Sequence, residues 1–332
     1  MATAEEILSF SEKFSLYFTF TIFVIGGFGN LINICVLTTL KLFRSNQCAF
    51  YLIVESIVNT CQLTILSIIY LLPIVNGFEP GNVSLFWCKF KSMLPQTLRL
   101  LSTSMVCFAA IDQYLSTNPQ LIIRQKSSLR LARRLTSIGI IIWTLHSIPY
   151  GIFYEIVPSG SCIITSNALT QYYSFFYYPI LHGLLPILGS SLLALLAYRN
   201  VRRLVRRGIG TERRRLDRQL TAMIFTRVIF FVLFLSPYTI YRIYALNITV
   251  NRSDHYPYAI DRLLFSIMSS TTNLNFTMSF YVFLASSSRY RRQVKSFFVK
   301  KCWRSLKNSC SIQPNEIHPT GAMSTAVVSD LD

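Results

Sequence analysis

The chain has 332 residues, a formal net charge of +18 and a mean hydropathy of +0.43. Hydrophobic residues make up 52% and charged residues 14%, against about 25% charged in a soluble domain, which excludes an ordinary soluble globular fold. The basic excess does not describe a nucleic-acid surface either, because its residues fall in clusters that alternate with long apolar runs.

The N-terminal segment, residues 1–13, carries Glu5 and Glu6 rather than a basic n-region, so the first apolar run is expected to serve as its own insertion signal. Apolar runs follow at about 14–40, 49–75, 92–114, 135–154, 172–198, 219–245 and 263–288. A hydrocarbon core about 30 Å thick needs roughly 20 apolar residues at 1.5 Å rise each, so each run is long enough to cross it. Of 32 Lys and Arg, 24 lie in 41–44, 124–134, 199–218 and 289–307, after the first, third, fifth and seventh runs. The positive-inside rule then places the N-terminus outside the cell and the C-terminus in the cytosol. Sequons at Asn82, Asn247 and Asn251 fall in the loops this rule makes extracellular, the side on which Asn-x-Ser/Thr is glycosylated.

The predicted fold is an all-α membrane protein: a seven-transmembrane helix bundle over 14–286 with a short amphipathic cytosolic helix after the last span. In that helix, over 287–303, Tyr290, Val294, Phe297 and Phe298 alternate with Arg291, Arg292, Lys295 and Lys300, a basic interfacial pattern suited to membrane lipid. The polar tail, 304–332, is expected to be disordered.

Cys88, at the outer start of the third run, and Cys162, in the following extracellular loop, face an oxidising compartment. A disulfide between them would pin that loop to the top of the third helix. Cys302 and Cys310 follow the basic amphipathic stretch, a setting for S-palmitoylation, with free cytosolic thiols as the alternative.

Seven runs, an external N-terminus and the Cys88/Cys162 pair resemble the rhodopsin-like (class A) G-protein-coupled receptors. G-F-G-N ends at Asn30, like the family's Gly-Asn pair. F-Y-L-I-V-E-S-I-V-N puts Asn59 where the family keeps an aspartate. Asp112-Gln113-Tyr114 stands where D-R-Y is usual, 25 residues from Cys88 to Gln113. Trp143, Pro149 and Pro186 match the fourth and fifth helices. F-V-L-F-L-S-P matches F-x-x-C-W-x-P through Phe231 and Pro237, with Leu235 replacing tryptophan. T-M-S-F-Y keeps only Tyr281 of N-P-x-x-Y.

The departures bear on signalling. In the family, the D-R-Y arginine contacts the bound G protein and, at rest, pairs with an acid on the sixth helix, which Asp217 matches. Gln113 offers a hydrogen bond without charge, and charge-assisted bonds are roughly twice as strong as neutral ones. The family's sodium site needs the aspartate that Asn59 replaces; Ser102 and Asn273 remain as neutral ligands, so no functional sodium site is expected. No metal or cofactor is predicted.

Ionisable residues inside spans are functional candidates by default. Arg99 lies 11 residues beyond Cys88, roughly 16 Å deep at helical rise, with Gln96 and Ser102 on the same face. Apart from Asp112 at the end of the third run, Glu55 is the only acid within a span, but side chains tilt toward their helix N-terminus, so on antiparallel neighbours Arg99 and Glu55 diverge. Arg99 is therefore assigned to an anionic ligand. Arg227, nearer the cytosolic end of the sixth helix, is expected to snorkel. Arg242 sits among Tyr238, Tyr241 and Tyr244, either an interfacial belt or a pocket rim. His146 and His182 lack metal spacing and are read as packing or hydrogen-bonding residues. The candidate ligand set is Gln96, Arg99, His182, Tyr238, Tyr241 and Arg242. Pro95 stands where the family's amine receptors keep an aspartate, which disfavours a biogenic amine.

The resemblance implies a plasma-membrane receptor that binds an extracellular peptide or anionic small molecule and signals through a heterotrimeric G protein, with no nucleic-acid partner. There is no glycine-rich phosphate loop, HExxH or Ser/His/Asp grouping, so an enzyme is not expected. Two alternatives remain: a non-signalling decoy receptor, suggested by Gln113, and a transporter, which would call for paired membrane carboxylates or broken helices in repeated halves.

Overall fold

The computed structural model describes residues 3–39, 43, 46–158, 160–206, 212–247 and 254–310. Among the described residues it is all-α apart from one two-stranded hairpin. In chain order the elements are α1 (Ala4–Thr39), α2 (Gln47–Asn76), α3 (Leu85–Thr117), a short α4 (Leu121–Lys126), α5 (Leu129–Phe153), β1 (Tyr154–Ile156) and β2 (Cys162–Ile164). Then come α6 (Asn167–Tyr172), a π-helical segment (Tyr173–Leu184), α7 (Leu185–Arg206), α8 (Glu212–Asn247), α9 (His255–Asn273), a 3-10 turn (Leu274–Phe276), α10 (Ser279–Ser286) and α11 (Ser288–Cys310). The chain divides into two units, Met1–Arg291 and Arg292–Asp332.

Among the described residues six helices are long and apolar enough to cross a membrane: Ala4–Thr39, Gln47–Asn76, Leu85–Thr117, Leu129–Phe153, Asn167–Arg203 and Leu216–Ala245. Four of their starts are locally encoded. Asn46, Ser84, Ser128 and Ser166 each accept a bond from the backbone N–H three residues on, satisfying a donor the first turn leaves open. Gly77, with φ 72°, closes α2 in the left-handed conformation that glycine adopts without a Cβ penalty. Along the spans Val24, Phe28, Ile141, Leu145, Leu188 and Leu192 are exposed, an apolar exterior that lipid solvates and water would not. The chain is a multi-pass helical membrane protein.

Within the first unit α3 is the central element, packed on α2, α5, α7 and α8, while α1 lies against α2 and α9. Gly26 lets α1 approach closely. A Cβ there would stand 2.6 Å from Leu63 Cδ1 and 2.7 Å from Thr277 Oγ1, so a small residue sets this distance. β1 and β2 pair antiparallel, with Ile156 opposite Cys162, and Cys162 is disulfide-bonded to Cys88 at the head of α3 with Cα atoms 5.7 Å apart. The hairpin is thereby fastened to the N-terminal end of the third span.

Two apolar runs depart from a plain helix. The fifth is wound as a π-helix over Tyr173–Leu184, around Pro179, whose ring nitrogen has no hydrogen to donate and whose ring crowds the preceding turn. The seventh, read as one span over 263–288, is broken after Asn273 and resumes at Ser279, and neither part is among the six. A break leaves backbone carbonyls without helical donors, tolerable in an apolar setting only if neighbours supply them. Here Asn30 Nδ2 donates to the Phe276 carbonyl at 2.9 Å and Arg227 to the Asn275 carbonyl at 3.1 Å. Helical backbone in α11 also continues past the expected end at 303, to Cys310.

Candidate functional site

The half of the first unit that holds the Cys88–Cys162 bridge gathers an arginine–tyrosine cluster. Arg99 of α3 donates from Nη1 to the Tyr238 hydroxyl of α8 at 3.3 Å, and its Cζ lies 5.4 Å from the Tyr238 ring centroid. Arg242, one turn further along α8, stacks on Tyr178 of the π segment, Cζ to centroid 4.4 Å. The Tyr178 and Tyr238 rings meet edge to face at 6.2 Å. His182, 0% exposed, packs between Tyr177 and Tyr238 at 5.9 Å from each, and neither ring nitrogen has a hydrogen-bond partner. Arg99 Nε, Arg242 Nε, Gln96 Nε2 and the Tyr177 hydroxyl are likewise buried and unpartnered. That many unsatisfied groups in one region is unusual in a finished core. Among the described residues neither Arg99 nor Arg242 has a carboxylate within 4.0 Å.

The structure thus brings Arg99, His182, Tyr238 and Arg242 together and adds Tyr177 and Tyr178, which sequence reasoning missed. Their signal was present as a run of tyrosines, Tyr172, Tyr173, Tyr177 and Tyr178, but its phase on a π-wound segment differs from that on an α-helix. Tyr241 belongs elsewhere: its hydroxyl donates to Asp261 Oδ1 of α9 at 2.9 Å, and its ring meets Phe265. Gln96 is buried at 8% exposure but does not line the cavity that Arg99 lines.

That cavity, about 10 Å³, runs from Arg99 and His182 past Ser102 to Arg227 and Asn275, with room for roughly one water. At its inner end the expectation for Arg227 is overturned. Arg227 does not snorkel. It is 1% exposed, as is Glu55, and donates to Glu55 Oε1 from Nη2 at 2.7 Å and Nε at 3.0 Å. Its Nη1 donates to Asn275 Oδ1 at 2.7 Å, and Ser279 Oγ adds a third bond to Glu55 Oε1 at 2.9 Å. One buried ion pair therefore ties α2 and α8 to the break in the seventh run and to the start of α10 beyond it. Helix rotation turns Arg227 inward, and a carboxylate is available there, so burial with a partner replaces escape to water. The remaining core polar residues close locally: Ser102 donates to Asn59 Oδ1 at 2.5 Å, while Asn273 Oδ1 is buried without a partner.

At the other end of α3, Asp112 accepts from Ser127 Oγ at 2.6 Å. Gln113, 1% exposed, accepts through Oε1 from Thr221 Oγ1 of α8 at 2.8 Å. Thr221 lies one turn beyond Asp217, so a neutral bond joins α3 and α8 where the resemblance leads one to look for a charged one. Tyr114 is half-buried, and the Tyr281 hydroxyl donates to the Ile25 carbonyl of α1 at 2.8 Å. Asn82 is exposed in a short 3-10 turn, Pro80–Asn82. Asn251 lies outside the described residues, as do the side chains of Asn247, Cys302 and Cys310. Comparison with known proteins finds no matching family model and no matching curated sequence.

Proposed function

We propose that the chain is a rhodopsin-like G-protein-coupled receptor of the plasma membrane. It crosses seven times, the broken seventh run included, with its N-terminus outside, and binds an anionic small molecule or a peptide carboxylate in its outer half. The observation that carries this reading is Arg99: a guanidinium with no carboxylate within 4.0 Å among the described residues, beside a buried histidine with two idle nitrogens, near a hairpin fastened by a disulfide. A charge inside a membrane span is costly unless paired. An anion arriving from outside supplies the missing counter-charge.

The same helix supports signal transfer. Along α8, Arg242 and Tyr238 stand in the cluster, Arg227 in the buried ion pair and Thr221 at the Gln113 bond. A ligand that pulls on the outer part of α8 acts on an element whose inner part holds α3, and only a ligand with different affinity for two positions of α8 shifts their populations. A non-signalling decoy is the second reading, favoured by the neutral Gln113 in place of the arginine that G proteins contact in the family.

The test is a screen of carboxylates and other anions on cells expressing the chain with a promiscuous G protein. Arg99→Ala abolishes the response and spares surface expression. Equal potency in wild type and variant overturns the ligand assignment.

A further inference from the structure

The charges of the outer half do not balance in a specific way. Two guanidiniums, not one, lie in the cluster, and each is matched to a tyrosine ring rather than to an acid: Arg99 with Tyr238 and Arg242 with Tyr178. The acids of neighbouring elements are engaged or turned away. Asp261 of α9 accepts from Tyr241, Glu79 is paired with Lys91 at 2.6 Å, Glu55 is held by Arg227, and Glu155 of β1 is exposed. Stacking on a ring is a weaker partner for a guanidinium than a charge-assisted bond to an anion. Both arginines also keep a buried Nε without an acceptor, the edge through which a guanidinium forks onto a carboxylate.

We infer that the ligand is a short dianion, one negative group seated on Arg99 beside His182 and the other on Arg242, with its spacer lying across the Tyr178 and Tyr238 rings. This rests on the reading of the outer half as a ligand site. Tyr238, which bonds Arg99, and Arg242 are four residues apart on α8, so the two seats are separated by roughly 6 Å along the helix axis. That separation suits a short-chain dicarboxylate. Tyr178 and Tyr238 meet edge to face, which offers an apolar wall between the seats. His182, with both nitrogens free of partners and no solvent contact, can donate a proton-bearing nitrogen to the deeper anionic group.

The experiment uses the full chain in lipid nanodiscs and reads thermal unfolding at matched ionic strength. The probes are succinate, glutarate and adipate, each compared with the monocarboxylate of equal length: butyrate, valerate and hexanoate. At least one dicarboxylate is expected to bind at least tenfold more tightly than its monocarboxylate. Arg242→Gln brings that dicarboxylate down to the monocarboxylate level, whereas Arg99→Gln removes the binding of both. Arg242→Lys, which keeps the charge, retains part of the preference and guards against a folding defect in the neutral variant. Equal binding of both kinds of acid, or an unchanged preference in Arg242→Gln, overturns the two-charge inference and leaves the anion reading standing. If no carboxylate of either kind stabilises the wild-type chain, both fall.

Discussion

Breaking the Glu55–Arg227 pair is the sharpest perturbation the structure offers. Both side chains are 1% exposed, three donors converge on Glu55 Oε1, and Oε2 has no partner. Removing one member of such a pair leaves the other charge buried and alone, a loss of about 3–5 kcal/mol, or roughly two to four decades in the folding equilibrium at 1.4 kcal/mol per decade. Arg227→Met should stand at the upper end, because it also strips the donor from the Asn275 carbonyl freed by the break. Glu55→Gln should stand at the lower end, since an amide oxygen still accepts. The double variant Glu55→Leu with Arg227→Met removes both charges and replaces them with apolar volume. Its loss should be smaller than that of either single variant, down to the about 1–3 kcal/mol expected for one unsatisfied buried carbonyl. Unfolding in nanodiscs measures all three, and Glu55→Leu alone closes the double-mutant cycle with Arg227→Met. Additive losses, with the double variant as poor as the sum of the singles, would refute the claim that the two groups stabilise each other.

Within the proposed receptor, the same pair holds α8 to α2, so Glu55→Gln should raise ligand-independent signalling in a basal reporter assay at matched surface expression. Gln113→Arg should raise agonist-stimulated coupling by restoring a cationic contact to the G protein, even as it gives Asp217 a charged neighbour; unchanged or lower coupling means that Gln113 is adapted to its partner or that the chain does not signal this way. Asn30→Ala should cost about 1–3 kcal/mol, because the buried Phe276 carbonyl loses the Asn30 side-chain donor, and thermal unfolding reads this directly. Cys88→Ser should lower surface expression, since loss of a native disulfide typically costs about 2–5 kcal/mol; expression equal to wild type argues that the hairpin holds its place without the bridge.

Sequence alone determined what depends on distance along the chain. The length of the apolar runs marks six spans that the structure forms as uninterrupted helical stretches, because the bilayer obliges each segment to satisfy its own backbone and so encodes it locally. The caps at Asn46, Ser84, Ser128 and Ser166 are of the same kind. The bridge between Cys88 and Cys162 was legible because two cysteines faced one compartment. Only the tertiary structure decided which faces meet. Arg227 and Glu55 are 172 residues apart, and whether an arginine in a span reaches water or a carboxylate depends on how two helices are rotated about their axes. The grouping of Arg99 and Arg242 around Tyr178 and Tyr238 depends on the π winding of Tyr173–Leu184, which shifts the phase of every side chain it carries. The break in the seventh run was hidden for the same reason: its freed carbonyls are satisfied by Asn30 from the first helix and Arg227 from the sixth, donors that no window along the seventh run contains.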